Sequence, residues 1–552
     1  MPPASFPTRL AALALAHPVW LIALLVLAQH APLIAARDLW WSDEVRHGGV
    51  LLDLTAQGDW WALHLNGAPY TDKPPLYFWF LAGMQALFGA GSVPIFLGLS
   101  LTVFAFALSC WHLALRVLQD RAQSLGAVAV LLSGSYVLAA SHYARMDFMF
   151  AAAITLAWGS FYAATAAPAL NRRAMLAGFA FVTLATLVKG PVGLLLPLSA
   201  LIVQLAQQRC LPLLADRSVL AGLGILAAGF LIWAGGLIHV SGTDYLSRLF
   251  DHQIVGRTLD ARGGVLGYLR YLWAFPAVLL PYSLLPVLPR GNRAPLSPGL
   301  RYLLICVVTG LICLSLIGEK HEYYLIPLLV PAAILLVRVI ATLPTRSLGL
   351  VLAGWMAVQG ALVLVAPRVI AALHLPADHL APALAQTALP GALGLMLALI
   401  LAVVALRPWQ WSQILAAFVL AQTLFGGSLL GRVMPALDAV LSPATLTQAM
   451  RPAIDQGFAP GIAHGISGVF AFHLGQHYAA LSSAQSISDW LAATPRAVIA
   501  LQDDAWRELA PRHPGFQALA CVPFLGLRFV VLVSPPGLDA PPAAQTTDCA
   551  AP

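Results

Sequence analysis

The sequence predicts an all-α polytopic membrane protein of about thirteen transmembrane helices, followed by a small extracytoplasmic α/β domain. Three observations predict it. Of the 552 residues, 60% are hydrophobic and only 10% are Asp, Glu, Lys or Arg, against roughly 25% charged residues in soluble domains; mean hydropathy is +0.81. Apolar runs of about 20 residues recur along the chain, the length that crosses about 30 Å of hydrocarbon, whereas a membrane barrel would alternate in segments of about ten. Past Leu430 these runs shorten, and turn residues and charges return.

The elements follow in order. The apolar run from Val19 to Ala36 is longer than a signal-peptide core and no small-residue cleavage site follows it, so it reads as the first span. A polar stretch, residues 37–92, comes next and is expected to form an extracytoplasmic loop with helices of its own. Further spans centre near Phe104, Val130, Thr155, Phe181, Leu198, Leu231, Leu280, Thr309, Val330, Val358, Leu397 and Leu420. Arg9, Arg116 and Arg121, Arg172-Arg173, Arg209 and Arg217, Arg290 and Arg293, Arg338 and Arg346, and Arg407 fall in alternate loops. The positive-inside rule places those loops and the N-terminus in the cytoplasm. An odd number of spans then leaves the C-terminal region outside. Residues 1–430 form the membrane domain in this reading, 431–535 the α/β domain, and 536–552, with two Pro-Pro pairs, a disordered tail. Within 431–535, Val469–Phe472, Ala497–Leu501 and Phe529–Val533 read as short buried strands, with Asp489–Leu491 and Asp503–Leu509 helical between them.

Composition also excludes classes. The net charge of +7 is carried by orienting arginines and points to no nucleic acid. No P-loop, Rossmann fingerprint or other nucleotide-binding glycine pattern is present. The six cysteines have no metal-ligand spacing; four lie in or beside apolar spans, and Cys521 and Cys549 would pair if their compartment is oxidising.

The loops of the second set carry the polar residues: Asp43 to Lys73, Tyr143 to Asp147, Lys189-Gly190, Asp251 to Arg257, and Gly318 to Tyr324. Charge is scarce here, and charge gathered beside a membrane usually binds or reacts. The expectation is one extracytoplasmic active site. Asp43 and Glu44 are the candidate catalytic carboxylates, and Ser42 or Asp43 is alternatively the cap of a helix running to Gln57. Arg46, at i+3 from Asp43, lies on the same helical face. Lys73, held by Pro74-Pro75 beside a helix start, suits an anion; snorkelling to headgroups is the other reading for Lys73, Lys189 and Lys320. Arg46, Lys73, Lys189, Arg257 and Lys320 together look like a phosphate site. Arg145 and Asp147 are either a local ion pair or substrate-binding, and Tyr70, Tyr323 and Tyr324 either line the site or join an interfacial belt. Asp72 and His252 are the candidate ligands for a divalent metal, which no tight spacing supports.

At these residues the chain resembles the polyprenyl-phosphate-sugar glycosyltransferases, the C-type glycosyltransferases of the protein-O-mannosyltransferase superfamily. The resemblance rests on Asp43-Glu44-x-Arg46, Gly58-Asp59-Trp60, Asn66-Gly67-x-Pro69-Tyr70, Lys73-Pro74-Pro75-Leu76, Lys189-Gly190 and Tyr324 to Pro327. It covers roughly residues 10–430 and is nearest to the bacterial enzymes that modify lipid A with aminoarabinose. It implies a C-type glycosyltransferase fold in the bacterial inner membrane, with active site and C-terminal domain periplasmic. It implies an undecaprenyl-phosphate-linked sugar as donor, and lipid A, a glycan or a protein as acceptor. Asp43 matches the essential acid, while Arg46, Lys73, Lys189, Arg257, Tyr323 and Tyr324 match positions lining the lipid-phosphate pocket. The chain departs from the pattern at Trp41-Ser42, where Glu-Pro is usual, at His47, where Tyr is usual, and at Asp72, where Glu is usual. These departures bear on sugar and acceptor more than on reaction class. A transporter would instead place ionisable residues at mid-membrane and show internal repeats.

Overall fold

The computed structural model describes residues 15–250, 264–288, 296–373, 378–463 and 467–535. The first helix, α1 (Pro18–Ala36), leads into the polar stretch, which holds α2 (Asp43–Gln57), the strand pair β1 (His64–Leu65) and β2 (Ala68–Pro69), and α3 (Leu76–Phe88). The bundle continues with α4 (Ser92–Leu118), α5 (Arg121–Ser133), α6 (Ser135–Ala140), α7 (Asp147–Thr165), α8 (Arg172–Lys189), α9 (Val192–Gln207), α10 (Arg217–Phe250), α11 (Gly264–Val278), α12 (Pro298–Leu316), α13 (Ile326–Ile340), α14 (Thr345–Ala372), α15 (Ala388–Ala405) and α16 (Trp411–Leu441). Among the described residues, eight helical segments are long and apolar enough to cross a membrane, and Pro18–Ile34, Leu76–Phe88 and Val192–Gln207 are shorter apolar helices. All but one of the expected span centres fall inside helices; Leu280 sits on the turn between α11 and the 3₁₀ segment Tyr282–Val287.

α7 is the centre of the bundle, with most of its length buried. It packs against α4 and α8, and Phe148 meets Phe106 edge-on at 5.4 Å. Because lipid is as apolar as the side chains it touches, close helix approach rather than hydrophobic drive holds such helices together. α14 and α15 illustrate this. A Cβ added at Gly360 would come within 2.7 Å of the Leu395 amide nitrogen, and one at Gly394 within 2.7 Å of the Gly360 Cα. Only glycine permits that crossing.

α16 runs eleven residues past the expected domain boundary at 430, to Leu441. Beyond it α17 (Ala444–Asp455), β3 (Ala459–Ala463), α18 (Ala471–Leu474), β4 (Ala479–Leu481), α19 (Ala484–Ala493), β5 (Ala497–Gln502), α20 (Asp503–Leu509), β6 (Gln517–Phe524) and β7 (Leu527–Val533) build the α/β domain. The sheet order is β4-β3-β5-β7-β6. β4, β3 and β5 are parallel, and β7 pairs antiparallel with β5 and β6. The β6–β7 hairpin turns on Leu525 (φ 52°) and Gly526 (φ 79°), the double positive φ that matches strand twist in a two-residue loop. Strands at Ala497–Gln502 and Leu527–Val533 and helices over Asp489–Leu491 and Asp503–Leu509 agree with expectation. Val469–Phe472 does not: it is a turn leading into the short helix α18. Four consecutive apolar residues carry no period that separates strand from helix, and here Phe470 is fully buried against the Tyr478 and Phe524 rings, 5.8 and 5.5 Å away, instead. The expected tail, 536–552, lies outside the described residues, as does Cys549.

The α/β domain packs directly on α2. Added Cβ atoms at Gly48 and Gly49 would lie 2.8 Å from the Phe472 ring and 2.8 Å from the Gly468 carbonyl oxygen. Around that contact His473 Nε2 is 3.0 Å from Asp38 Oδ2 and His477 Nε2 is 2.8 Å from Asp53 Oδ1. Asn66 exchanges two hydrogen bonds with the Tyr478 backbone at 2.9 and 3.0 Å.

Candidate active site

Four helix ends and the β2–α3 connection converge on one cavity of about 90 Å³, a volume that holds a few water-sized groups. Asp43, Arg46 and His47 enter it from the first turns of α2. Tyr70, Asp72 and Lys73 come from the connection into α3, Arg145 and Asp147 from the start of α7, Lys189 from the end of α8, and Glu319, Tyr323 and Tyr324 from the α12–α13 junction. Local sequence explains the placement. Gly190 takes φ 78° directly after Lys189, ending α8 so that the lysine stands at the cavity rim. Pro74-Pro75 precede α3 and restrict the backbone that carries Lys73. Asp59 Oδ1 accepts from the Trp61 and Ala62 amides, and Asn66 (φ 56°) with Gly67 (φ 78°) turns β1 into β2, so both motif segments serve to shape the loop.

Asp43 begins α2, but the helix has no side-chain cap. Its carboxylate is instead aimed at cations: Oδ2 is 3.2 Å from Arg145 Nη1 and Oδ1 is 3.7 Å from Arg46 Nη1. Its backbone amide donates to the Tyr143 hydroxyl at 3.2 Å. Arg46 Nη2 also donates to Asp72 Oδ2 at 2.5 Å. Lys73 Nζ donates to the Asp72 carbonyl at 3.1 Å. Arg145 Nε lies 3.2 Å from Asp147 Oδ2, unaligned for a hydrogen bond, and its guanidinium stacks 3.4 Å from the Tyr323 ring centroid. Lys189 pairs with Asp147 and sits 5.2 and 4.6 Å from the Tyr323 and Tyr324 ring centroids. The Tyr324 hydroxyl donates to Glu319 Oε2 at 3.1 Å. Tyr70 is buried, with its carbonyl accepting from the Tyr245 hydroxyl at 2.6 Å.

The wall thus carries four cations, four carboxylates, three tyrosines and His47. Formal charges cancel, so the cations are ordered by the acids before any ligand arrives. Such fixed donors in a partly dry site stabilise charge that develops during a reaction without reorganising.

Two expected residues stand elsewhere. Glu44, expected beside Asp43 as a catalytic carboxylate, points away from the cavity. Its oxygens accept from Arg37 Nη1 and Nη2 at 2.7 Å each, from the Trp40 amide at 2.8 Å and from the Ala144 amide, and both side chains of the pair are fully buried. The 100° step per residue separates neighbours on a helix. Lys320 turns back to the Ile317 carbonyl and lies 5.5 Å from the Tyr268 ring centroid, outside the cavity wall. Burial lowers its pKa. Arg257 and His252 lie outside the described residues. Asp72, the other candidate metal ligand, is engaged by Arg46, and among the described residues no three His, Cys, Asp or Glu side chains cluster as a metal would need. Sequence reasoning missed Arg37, Tyr143 and Glu319. Glu319 carried a signal, since it shares the Gly318 to Tyr324 loop; the Arg37–Glu44 pair bridges a break between two helices, where no periodicity speaks.

Residues 72–233 match the family described as dolichyl-phosphate-mannose-protein mannosyltransferase. The chain is 27% identical over 335 residues to an undecaprenyl phosphate-alpha-4-amino-4-deoxy-L-arabinose arabinosyl transferase of Shewanella sediminis, covering 57% of this chain and 59% of the relative. It is 29% identical over 332 residues to a second such transferase from Pseudomonas fluorescens, covering 58% and 59%. The chain therefore spans about three-fifths of the length of the curated relatives it matches. Among solved structures, ArnT from Cupriavidus metallidurans bound to undecaprenyl phosphate superposes with a TM-score of 0.76 at 22% identity, over 94% of this chain and 98% of that one. Its apo form gives 0.73 at 20%, over 95% and 98%. The fold of the chain is that of these membrane glycosyltransferases, and its sequence is similar to lipid-phosphate-sugar transferases of the protein-O-mannosyltransferase superfamily.

Proposed function

We propose that the chain is an integral membrane glycosyltransferase that moves a sugar, 4-amino-4-deoxy-L-arabinose, from undecaprenyl phosphate to lipid A on the outer side of the inner membrane. The observation that carries the reading is Asp43, held between Arg46 and Arg145 at 3.7 and 3.2 Å in a cavity whose wall also bears Lys73 and Lys189. The lipid chain lies in the bilayer and the donor phosphate meets Lys73, Arg46 and Arg145. The bond from the anomeric carbon to the phosphate oxygen breaks as the acceptor oxygen bonds that carbon, and polyprenyl phosphate leaves. The cations stabilise the charge gathering on the departing phosphate. Asp43 orients the attacking group. A lipid A phosphate is already anionic and needs no proton removed, whereas a hydroxyl acceptor would pass its proton to Asp43. Lys189, Asp147, Tyr323, Tyr324 and Tyr70 keep the wall in place around these two parts. The cavity end of the bundle faces outward in this reading, and the arginine loops face the cytoplasm.

The test is donor consumption by the purified protein with undecaprenyl-phosphate-aminoarabinose and lipid A, together with the mass of lipid A in a strain lacking the protein. Loss of an aminoarabinose increment from lipid A is expected. A loss from protein or surface glycan instead would support the second reading, a hexose-transferring protein or glycan O-glycosyltransferase, which the family matched over residues 72–233 favours. No change in any of the three overturns both. Orientation is read separately, by labelling Gln485→Cys, on the exposed face of α19, with an impermeant reagent in intact cells.

A further inference from the structure

Among the polar side chains of the cavity wall, His47 stands apart: it is the one that is neither a carboxylate, a cation nor a phenol. It is one helical turn from Asp43 on α2, so the two side chains share a face about 5–6 Å apart at Cβ. The imidazole is 4% exposed and packs edge-on against Tyr77 and Phe78 at 5.6 Å each. Its Nδ1 is buried and has no hydrogen-bond partner among the described residues. A polar nitrogen removed from water and left unmet weakens the fold; a ligand that meets it relieves that.

We propose that His47 is a sugar-contacting residue: its uncharged imidazole makes a hydrogen bond with a hydroxyl or amino group of the transferred sugar and so helps select which sugar is accepted. The proposal rests on the function proposed above. Burial pushes the imidazole down to about 4; Asp43 opposes this, while Arg145 of the α7 start, Lys73 ahead of α3 and Arg46 of α2 reinforce it. The ring is therefore neutral at working pH, with one N–H and one lone pair. Such a group contributes little to holding a phosphate, which the four cations already address, but it discriminates among uncharged substituents near the reacting carbon. A site built to hydrogen-bond a substrate group rejects analogues lacking it far more strongly than a merely apolar wall does.

The experiment uses the full chain in detergent. His47→Phe keeps the aromatic packing and removes both ring nitrogens; His47→Gln restores a hydrogen-bonding group. Binding of undecaprenyl-phosphate-aminoarabinose and of sugar-free undecaprenyl phosphate is measured for each, alongside kcat/KM for transfer. The expected result is a roughly 10- to 100-fold loss of kcat/KM and of donor affinity for His47→Phe. Affinity for sugar-free lipid phosphate should stay within about twofold, and His47→Gln should recover a large part of the loss. Equal losses for both lipids, or a His47→Phe variant with wild-type donor affinity, overturn the proposal. If His47→Phe lowers the thermal midpoint, His47→Gln decides: a stable Gln variant that still loses donor and lipid phosphate alike overturns it. A wild type that binds the donor in preference to the bare lipid but transfers nothing would overturn the proposed function while leaving the sugar contact standing.

Discussion

Substituting the adjacent acids Asp43 and Glu44 one at a time should give opposite phenotypes. Glu44→Ala removes an acceptor that serves both guanidinium nitrogens of Arg37 and two backbone amides. Among the described residues Arg37 then keeps hydrogen bonds to the Asp38 and His142 carbonyls, at 2.9 and 2.5 Å, and the faces of the Trp40 and Phe96 rings, but no anion, and its side chain is 1% exposed. A buried charge stripped of its partner destabilises by about 3–5 kcal/mol. The two orphaned amides overlap with that term rather than adding fully. Asp43→Asn keeps its shape, and it strands no charge: Arg46 retains Asp72 at 2.5 Å and Arg145 retains Asp147 at 3.2 Å. Thermal unfolding of the detergent-purified variants, with transfer measured per folded molecule, separates the two. Glu44→Ala should lower the midpoint sharply, Glu44→Gln less so, and the folded fraction of Glu44→Gln should still transfer. A Glu44→Ala protein as stable as Asp43→Asn, yet inactive, would refute a scaffold role for the pair and return Glu44 to the chemistry.

Four further outcomes are expected. Asp43→Asn should express and melt like wild type but transfer nothing, measured as product in membranes. Lys73→Ala should cut donor use by about 10²–10³-fold with little change in melting, the scale for losing one charge-stabilising donor; Lys189→Ala should do both, because it leaves buried Asp147 short of a partner. Gly49→Val should loosen the α/β domain, since the new side chain meets the Gly468 carbonyl and Leu65; proteolysis between α17 and β5 reads this. Despite the opposing effect of burial, the hydrogen bond and charge of His473 hold the Asp38 carboxyl below its ordinary value. That contribution is present above the unfolded value near 4 and is lost as pH falls through the lower folded one. Proteolysis should therefore rise as pH falls below about 4, and His473→Ala should remove that dependence.

Where a helix is long and apolar it was legible, because a span needs little else: eight of the expected centres, from Phe104 to Leu420, sit in segments long and apolar enough to cross a membrane. The end of α2 at Gln57, the helix start after Pro75 and the helix end at Lys189 were legible from Gly and Pro. Convergence of the Asp43, Lys73, Arg145, Lys189 and Tyr323 loops was legible from alternation of the arginines. What pairs with what was not. Lys189 finds Asp147 42 positions away and His477 finds Asp53 424 away, and contacts of that range leave no mark in local pattern. The lysine series read as one phosphate site because single residues were counted as charges; the four carboxylates of the wall become visible as their counterweight only when the helix ends meet.

The two glycines of α2 have a consequence beyond packing. One side of this helix presents Asp43, Arg46 and His47 to the cavity, and Gly48 and Gly49 let the Phe472 ring and the Gly468 backbone of the α/β domain press against it. The helix that bears the proposed reacting acid is thus held between α3 on one side and α18 of the α/β domain on the other. A truncation beyond Leu441 is then not a change at a distant appendage: it removes the anvil against which the helix bearing Asp43, Arg46 and His47 is set.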